Sequence, residues 1–585
     1  MDNRTELLLT DLSKAFEPSS IISEDSSNDT WRALPYEANA FSGVMLVSLG
    51  MGRPEDLTLD PKLNGWYKIY IQTIGIGNLR LHLKLSSDVS YEEIEGNGGN
   101  YCRIDETLWR YADMTGESIT LSKKRFTLST NTVLSGLRFV PMTEEEVNAY
   151  KAEASRTDTK RLFATHDMHG KLYGNFLQDP SDWLSLVLPY KNSDVEWLSL
   201  EEIRIFLQGK CPCDPDDFPF QRDGDRAIQK QLATLDYDRA LADCVRYGHE
   251  IGLKMSISLR MGAWGMGFPY DQCYFDVPFH DEHPELHCVD RNGDNISAMS
   301  YAYPEVRRFV IDTLLNSARS GCDAVTLIAH RGIPYVLFEK PVTDKYFELY
   351  GEYPFDLPLN NPRLNAIHCD IMTGFFRELR DALDAGFGKD KIRIQLRALH
   401  TLSDDKLIGL DPERLAAEGL INDFIVYPKR FDELWKTEGV LRFDKEKGEE
   451  RIDLDKYSEY VRNSESLLNS HGYSVYDDVF SQIDSWNALE KKYGVKIYYE
   501  IMPRIMPVAD FKKRALELYS HGAERFALWD TYCRVPYNDL RAMISKLGHK
   551  EELAELIPEG TVKRSYRVLT YGSLNFGRYK PYWGG

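Results

Sequence analysis

The feature that most narrows the fold is a unit of strand, loop and helix that starts near residue 161 and recurs eight times. Short runs rich in apolar residues predict strands at Arg161–Thr165, Glu202–Leu207, Lys254–Leu259, Asp323–Ala329, Lys391–Leu396, Asp423–Tyr427, Lys496–Ile501 and Arg525–Trp529. Helical segments separate them, among them Asp236–Ile251, Pro304–Ser320, Asn361–Ala385, Val475–Tyr493 and Val508–His521. Strands that are apolar throughout are covered on both faces, and parallel neighbours need a long crossover between them. Eight such units predict an α/β chain closed into a (β/α)8 TIM barrel over residues 161–550. An open doubly wound sheet is the alternative.

At 585 residues the chain exceeds one ordinary core. From residue 31 to 142 the period is that of strands, which predicts an all-β N-terminal sandwich. Trp66–Gln72 and Leu79–Leu85 both alternate, and Gly75-Ile76-Gly77-Asn78 between them has turn composition, so a hairpin is expected. The Gly75-x-Gly77 pair is no dinucleotide loop, because a strand follows where a helix is required. Residues 1–30 read as a loosely ordered leader, 143–160 as a charged helical linker, and 551–585 as a tail packing on the barrel.

A net charge of −20 sets the surface against phosphate backbones and anionic lipid. The expected partners are a carbohydrate substrate and, at most, further copies of the chain (a homo-oligomer), with no nucleic acid and no membrane. The N-terminal residues lack a secretory pattern, and the nine cysteines are thinly spread, so a reducing, cytoplasmic and bacterial setting is expected. Cys211-Pro212-Cys213 has no second pair to complete a zinc site. His280, His283 and His287 share a Pro- and Asp-rich loop rather than a helix face. Neither a metal nor a cofactor is expected.

Barrel active sites lie at the C-terminal ends of the strands. That rule selects His166, Asp167 and His169 after the first strand, and Arg260 and Trp264 after the third. His330, Arg331 and Glu339 follow the fourth, Arg397 and His400 the fifth. Glu500 ends the seventh with Arg504 beyond it, and Trp529 and Asp530 end the eighth. No nucleophile elbow or Walker-type loop accompanies them. The set suits two-carboxylate glycoside chemistry, in which one acid protonates the leaving oxygen and a second attacks the anomeric carbon or activates water. Tryptophan can stack on sugar rings, while Arg, His and Asp bind hydroxyls.

Each residue also has a structural reading. Glu500 could form a salt bridge to a nearby arginine, Glu339 could start a helix, Asp530 could cap one, and Trp529 could line the barrel wall.

The segment from Tyr303 (YPEVRRFVID) and then Gly321-Cys-Asp-Ala-Val-Thr-Leu-Ile resembles the family 10-like glycosyl-hydrolase barrels of bacteria. The stretch from Tyr499 to Asp530 is similar to the seventh and eighth units of such proteins, and the resemblance spans roughly residues 160–545. It implies a carbohydrate-active barrel with an N-terminal module of carbohydrate-binding type. Those barrels carry an acid in strand four, in a pattern like Asp-Gly-x-x-Leu-Asp followed by Arg. Here Asp323, Leu327 and Arg331 match, but Ile328 takes the acid position. Either the acid has moved to Glu339 or the mechanism differs.

The expected function is glycoside hydrolysis, with Glu500 and Glu339 the favoured pair and Asp530 in reserve. His166, Asp167, Arg260, Trp264, His330, Arg331, Arg504 and Trp529 would bind substrate. The alternatives are a sugar lyase or isomerase using His330 and His166 as acid and base, and a carbohydrate-binding protein without catalysis.

Overall fold

The computed structural model describes residues 4–25, 27–74, 79–96, 102–124, 130–168, 177, 180–203, 236–262, 264, 277–357, 360–428, 442–444, 449–451, 480, 482–501, 508–529, 531, 538–556, 564–572 and 574–575. The eight parallel strands are β1 (Leu162–His166), β2 (Val195–Glu201), β3 (Lys254–Arg260), β4 (Ala324–Ile328), β5 (Arg393–Ala398), β6 (Asp423–Val426), β7 (Lys496–Glu500) and β8 (Phe526–Leu528). They form a closed barrel, with β8 returning to pair β1 at Phe526 and Leu162.

Period-two alternation sorts their side chains. Leu198, Leu200, Ile257, Leu259, Val325, Leu327, Ile394 and Leu396 point outward. They share one core with Val310 and Leu314 of helix Pro304–Ala318 and Leu379 and Leu383 of helix Pro362–Phe387. The alternate residues point inward. Phe163, Trp197, Ala324, Ile425, Tyr498 and Ala527 fill one interior layer. Beside it runs a polar chain: Ser256 and Thr326 hydroxyls lie 2.6 Å apart, Thr326 donates to Gln395 Oε1 at 2.7 Å, and Gln395 donates to Asp423 at 2.9 Å. All four side chains are buried, so the chain of bonds satisfies polar groups that would otherwise cost stability. Continued to the strand ends, the same parity aims Glu201, Arg260, Arg397 and Glu500 into the mouth.

The second strand ends where the sequence reading starts it. Residues 195–207 form one long β-prone run, and alternation alone does not select its paired portion. Registration of Trp197–Glu201 against Lys254–Ser258 of β3 does. Residues 204–207 lie outside the described residues.

Residues before the barrel form two mainly antiparallel sheets, a small one of four strands and a large one whose ten strands include two that follow the barrel. The expected hairpin is not formed. Trp66–Ile74 pairs within the large sheet, whereas Arg80–Leu85 pairs within the small one. Ile69 and Ile71 of the first strand and Leu81 and Leu83 of the second lie in one shared hydrophobic cluster. Burial of apolar faces against each other therefore replaces edge-to-edge pairing; the turn itself, 75–78, lies outside the described residues.

Both chain ends also depart from expectation. Leu7–Leu9 pairs with Leu137–Phe139, and Leu12 and Phe16 are fully buried in the shared cluster, so residues 7–16 belong to the sheets rather than to a loose leader. At the other end, Arg564–Tyr571 inserts between Arg103–Asp113 and Trp31–Ala38 in the large sheet. That part of the tail completes the N-terminal sheet, with Val568 buried beside Tyr36, Met45 and Ile104.

The charged segment after the sheets is a helix, Glu144–Ala154, begun by a reciprocal bond pair between Thr143 and Glu146. Glu153 at its end meets Lys546 and His549, and Arg156 reaches Glu552 at 2.9 Å. Arg541 also donates to Glu92 of the small sheet at 2.6 Å. Among the described residues no helix is long and apolar enough to cross a membrane.

Candidate active site

At the mouth, β7 ends in Glu500, and β5, one strand removed, carries Arg397. Both side chains are 0% exposed, and Arg397 Nη1 donates to Glu500 Oε2 at 2.5 Å. The second carboxylate oxygen accepts the Trp529 backbone N–H at 2.6 Å, and Arg397 Nη2 donates to the Thr165 hydroxyl at 2.7 Å. The salt-bridge reading of Glu500 is thus realised, and it leaves the acid at the strand end. Removing water from both charges costs several kcal/mol per ion, on the order of what close attraction and good hydrogen bonds return.

A second group lies at the ends of β1, β2 and β3. Arg260 binds Glu201 through Nε and, through Nη2, donates to Glu201 Oε2 at 3.1 Å and to Asp167 Oδ2 at 3.0 Å. The Glu201 side chain is 1% exposed, Asp167 16% and Arg260 20%, so Asp167 and Arg260 form the accessible edge.

Trp529 joins the two groups. Its ring has the guanidinium carbons of Arg397 at 4.7 Å, Arg331 at 5.3 Å and Arg260 at 5.9 Å from its centre. His330 meets it edge-on at 5.0 Å and stacks on Tyr427 at 4.0 Å. Ile328, Tyr427 and Trp529 form a small apolar cluster of their own. The indole N–H of Trp529 is buried without an acceptor among the described residues.

The loops after β3 and β4 hold this geometry by direct backbone contact. A Cβ on Gly262 would lie 1.6 Å from the Gly332 carbonyl oxygen, and Gly332 has φ of 72°, so neither position admits a side chain without displacing the other loop. Met261 N–H also donates to the Ile328 carbonyl at 3.1 Å.

Glu339 and Trp264 make their contacts away from this cluster. Glu339 is fully buried at the start of helix Lys340–Tyr350, the place its structural reading gives it. Its oxygens accept backbone N–H groups of Leu337 at 2.9 and 3.0 Å and of Val289 at 3.1 Å, and burial pushes its carboxyl up to about 6. No contact among the described residues links it to Glu500. Trp264 packs against Phe309 of an outer helix, ring centres 5.8 Å apart. His166 shares a 3.1 Å bond with the Tyr190 hydroxyl, and the His400 carbonyl accepts from Trp486. His280 stacks on His287 at 4.3 Å, while His283 pairs with Glu285 at 2.9 Å. Among the described residues no group of three or more His, Cys, Asp or Glu side chains could hold a metal ion. His169, Arg504, Asp530, Cys211 and Cys213 lie outside the described residues.

Sequence reasoning missed Glu201, because a strand drawn seven residues late turns its final acid into a residue before the strand. The signal was present: an acid closing the alternating run Val195–Glu201, as Glu500 closes Lys496–Glu500.

No protein-family model matches the chain, and no curated protein matches it. Several solved structures share its outline. The glycoside hydrolase domain of PgaB (BpsB) from Bordetella bronchiseptica is 13% identical over 66% of this chain and 99% of that one, with a TM-score of 0.38. The catalytic domain of β-amylase from Paenibacillus polymyxa is 10% identical over 68% and 99%, at 0.40. The α-galactosidase TtGalA from Thermus thermophilus is 9% identical over 89% and 95%, at 0.33. At these identities and scores the likenesses assign no activity to this chain.

Proposed function

We infer that the protein is a glycoside hydrolase whose reaction takes place between Glu500 and the Asp167–Glu201–Arg260 group. The observation that supports this most is that Trp529, at the strand ends of a closed barrel, binds Glu500 through its backbone and carries on its ring Arg260, which holds Asp167 and Glu201. Glycoside hydrolysis needs two carboxyl groups on opposite sides of the scissile bond and a surface that orients the ring. Glu500 sits on one side of Trp529, backed by Arg397, and is the candidate nucleophile or general base. Asp167, more exposed than Glu201, is the candidate for proton delivery to the leaving oxygen. Glu201 then fixes Arg260, and the Trp529 indole N–H, without an acceptor among the described residues, is a donor for a sugar hydroxyl. Arg331 and His330 complete the substrate-binding edge. Glu339 falls outside the pair in this assignment because it sits at the start of helix Lys340–Tyr350, bound by Leu337 and Val289, with no contact to the Trp529 group among the described residues.

The test is reducing-sugar release from a panel of aryl glycosides and oligosaccharides, with the anomer of the first product followed by NMR. Turnover on at least one substrate, lost in Asp167→Asn and regained on aryl glycosides with good leaving groups, is the expected result. Saturable sugar binding without turnover on any substrate would contradict hydrolysis and favour a binding protein.

A further inference from the structure

The opposite end of the barrel holds an open cavity of about 440 Å³, lined by Thr157, Asp158, Lys160, Arg161, Glu196, Gly252, Lys254, Lys496 and Arg525. Lys254 and Lys496 are the first residues of β3 and β7, Glu196 is the second of β2, and Arg161 and Arg525 immediately precede β1 and β8. Five cations from four parts of the barrel's N-terminal rim thus face one space, in a chain whose net charge is −20.

Their existing partners do not cancel that charge within the cavity wall. Glu196 is the central acid and is shared three ways: Lys254 donates at 2.8 Å, Lys496 at 3.0 Å and the Tyr498 hydroxyl at 2.6 Å. Arg161 and Arg525 lean on Glu524 and Glu490, at 3.0 and 2.8 Å, and neither glutamate lines the cavity. Asp158, the other lining acid, is engaged by Arg156 at 2.7 Å. Lys160 donates to the Ser193 carbonyl, and burial lowers its pKa against the opposing pull of Asp194, which does not line the cavity. The wall itself thus sets five cations against two acids around a space within the size range of small-ligand pockets.

We propose that this cavity is a binding site for a small dianion of the phosphate class, carried either as free phosphate or as the phosphate group of a phosphorylated sugar. Lys254 and Lys496 would turn one N–H each from Glu196 to the anion, and Arg525 and Arg161 would supply further donors from two other strands' approaches. Since it lies at the end of the barrel away from Glu500, binding there regulates or stabilises the molecule without entering the reaction.

Calorimetric titration and thermal unfolding with inorganic phosphate, at ionic strength held constant with sodium chloride, test the site on the full chain. The wild type is expected to bind phosphate saturably and to unfold at a higher temperature than in chloride alone. Lys254→Gln/Lys496→Gln should weaken binding at least about tenfold, the factor that corresponds to 1.4 kcal/mol. Glu196→Gln, which removes the competing carboxylate, should tighten it, and this decides the matter should the double variant fail to fold. Stronger binding of a hexose 6-phosphate would identify a phosphorylated sugar as the source, and equal binding free phosphate; either supports the site. Phosphate acting no differently from chloride, or binding left unchanged by Glu196→Gln and by the double variant, would overturn it. The titration is silent on glycoside turnover, so its failure leaves the reading of the mouth untouched.

Discussion

Glu500 and Arg397 share a site in which neither charge reaches water, and each is the other's main compensation. Glu500→Gln is therefore expected to cost stability. Chemical denaturation should show a loss of about 3–5 kcal/mol, the range for leaving a buried charge unpaired. Glu500→Leu/Arg397→Met, which removes both charges, should cost less than the single change; an equal or larger loss would mean that the pair's charges are not coupled. A pH effect comes from the loop beside Glu339. His368 is buried, donates from Nε2 to the Leu337 carbonyl at 2.9 Å, and burial lowers its pKa to about 4 from an ordinary 6.5. Because the unfolded chain takes up this proton first, the contribution of His368 is complete above pH 6.5 and is lost as the pH falls towards 4. That amounts to roughly 3 kcal/mol. Glu339, raised to about 6, works with the opposite sign, gaining as the pH falls from 6 towards 4.5. The wild type should therefore lose stability relative to His368→Gln between pH 6.5 and 4, measured by urea denaturation, and a constant difference would contradict the burial argument.

Element by element, the barrel was legible because an apolar strand and its returning helix are local patterns. Seven of the expected strands overlap the observed ones, β5 shifted by two residues from Lys391–Leu396 to Arg393–Ala398. Pairing was less legible, since alternation fixes which face of Trp66–Ile74 is buried but not which strand lies beside it. The site followed the same division. Strand-end residues such as Glu500, Arg260 and Trp529 could be placed from their own segments. Glu201 depended on a register set by two neighbours, and the engagement of Glu339 by Val289 and Leu337 depends on a loop fold that no period encodes. The C-terminal strand is the extreme case, because Arg564–Tyr571 finds its partners some 460 residues earlier, at Asp105 and Ser565 among other pairs. Deleting residues 557–585 should strip Arg103–Asp113 and Trp31–Ala38 of a shared neighbour. Hydrogen exchange should then rise in both strands, while the barrel strands keep their protection; unchanged exchange there would contradict the observed sheet order.

On the scale of the whole molecule, the chain leaves the N-terminal sheets, builds the barrel and comes back to finish the large sheet. Cleavage at one point near residues 155–160 should consequently leave two fragments that stay together in gel filtration under native conditions and part only in denaturant. The ion pairs of Glu153 and Arg156 with Lys546, His549 and Glu552 add to that cohesion. At the barrel mouth Trp529 links Glu500 with Arg260 and its partners Asp167 and Glu201, and the proposed glycoside hydrolysis rests on that arrangement. The most direct measurement compares kcat on the best substrate for the wild type and for Glu500→Gln, Asp167→Asn and Glu339→Gln, each assayed well below its own unfolding temperature. The account predicts that Glu500→Gln loses on the order of a thousandfold or more, about 4 kcal/mol of transition-state stabilisation, with sugar binding retained and Glu339→Gln close to the wild type. Turnover by Glu500→Gln within tenfold of the wild type, with collapse in Glu339→Gln, would contradict it.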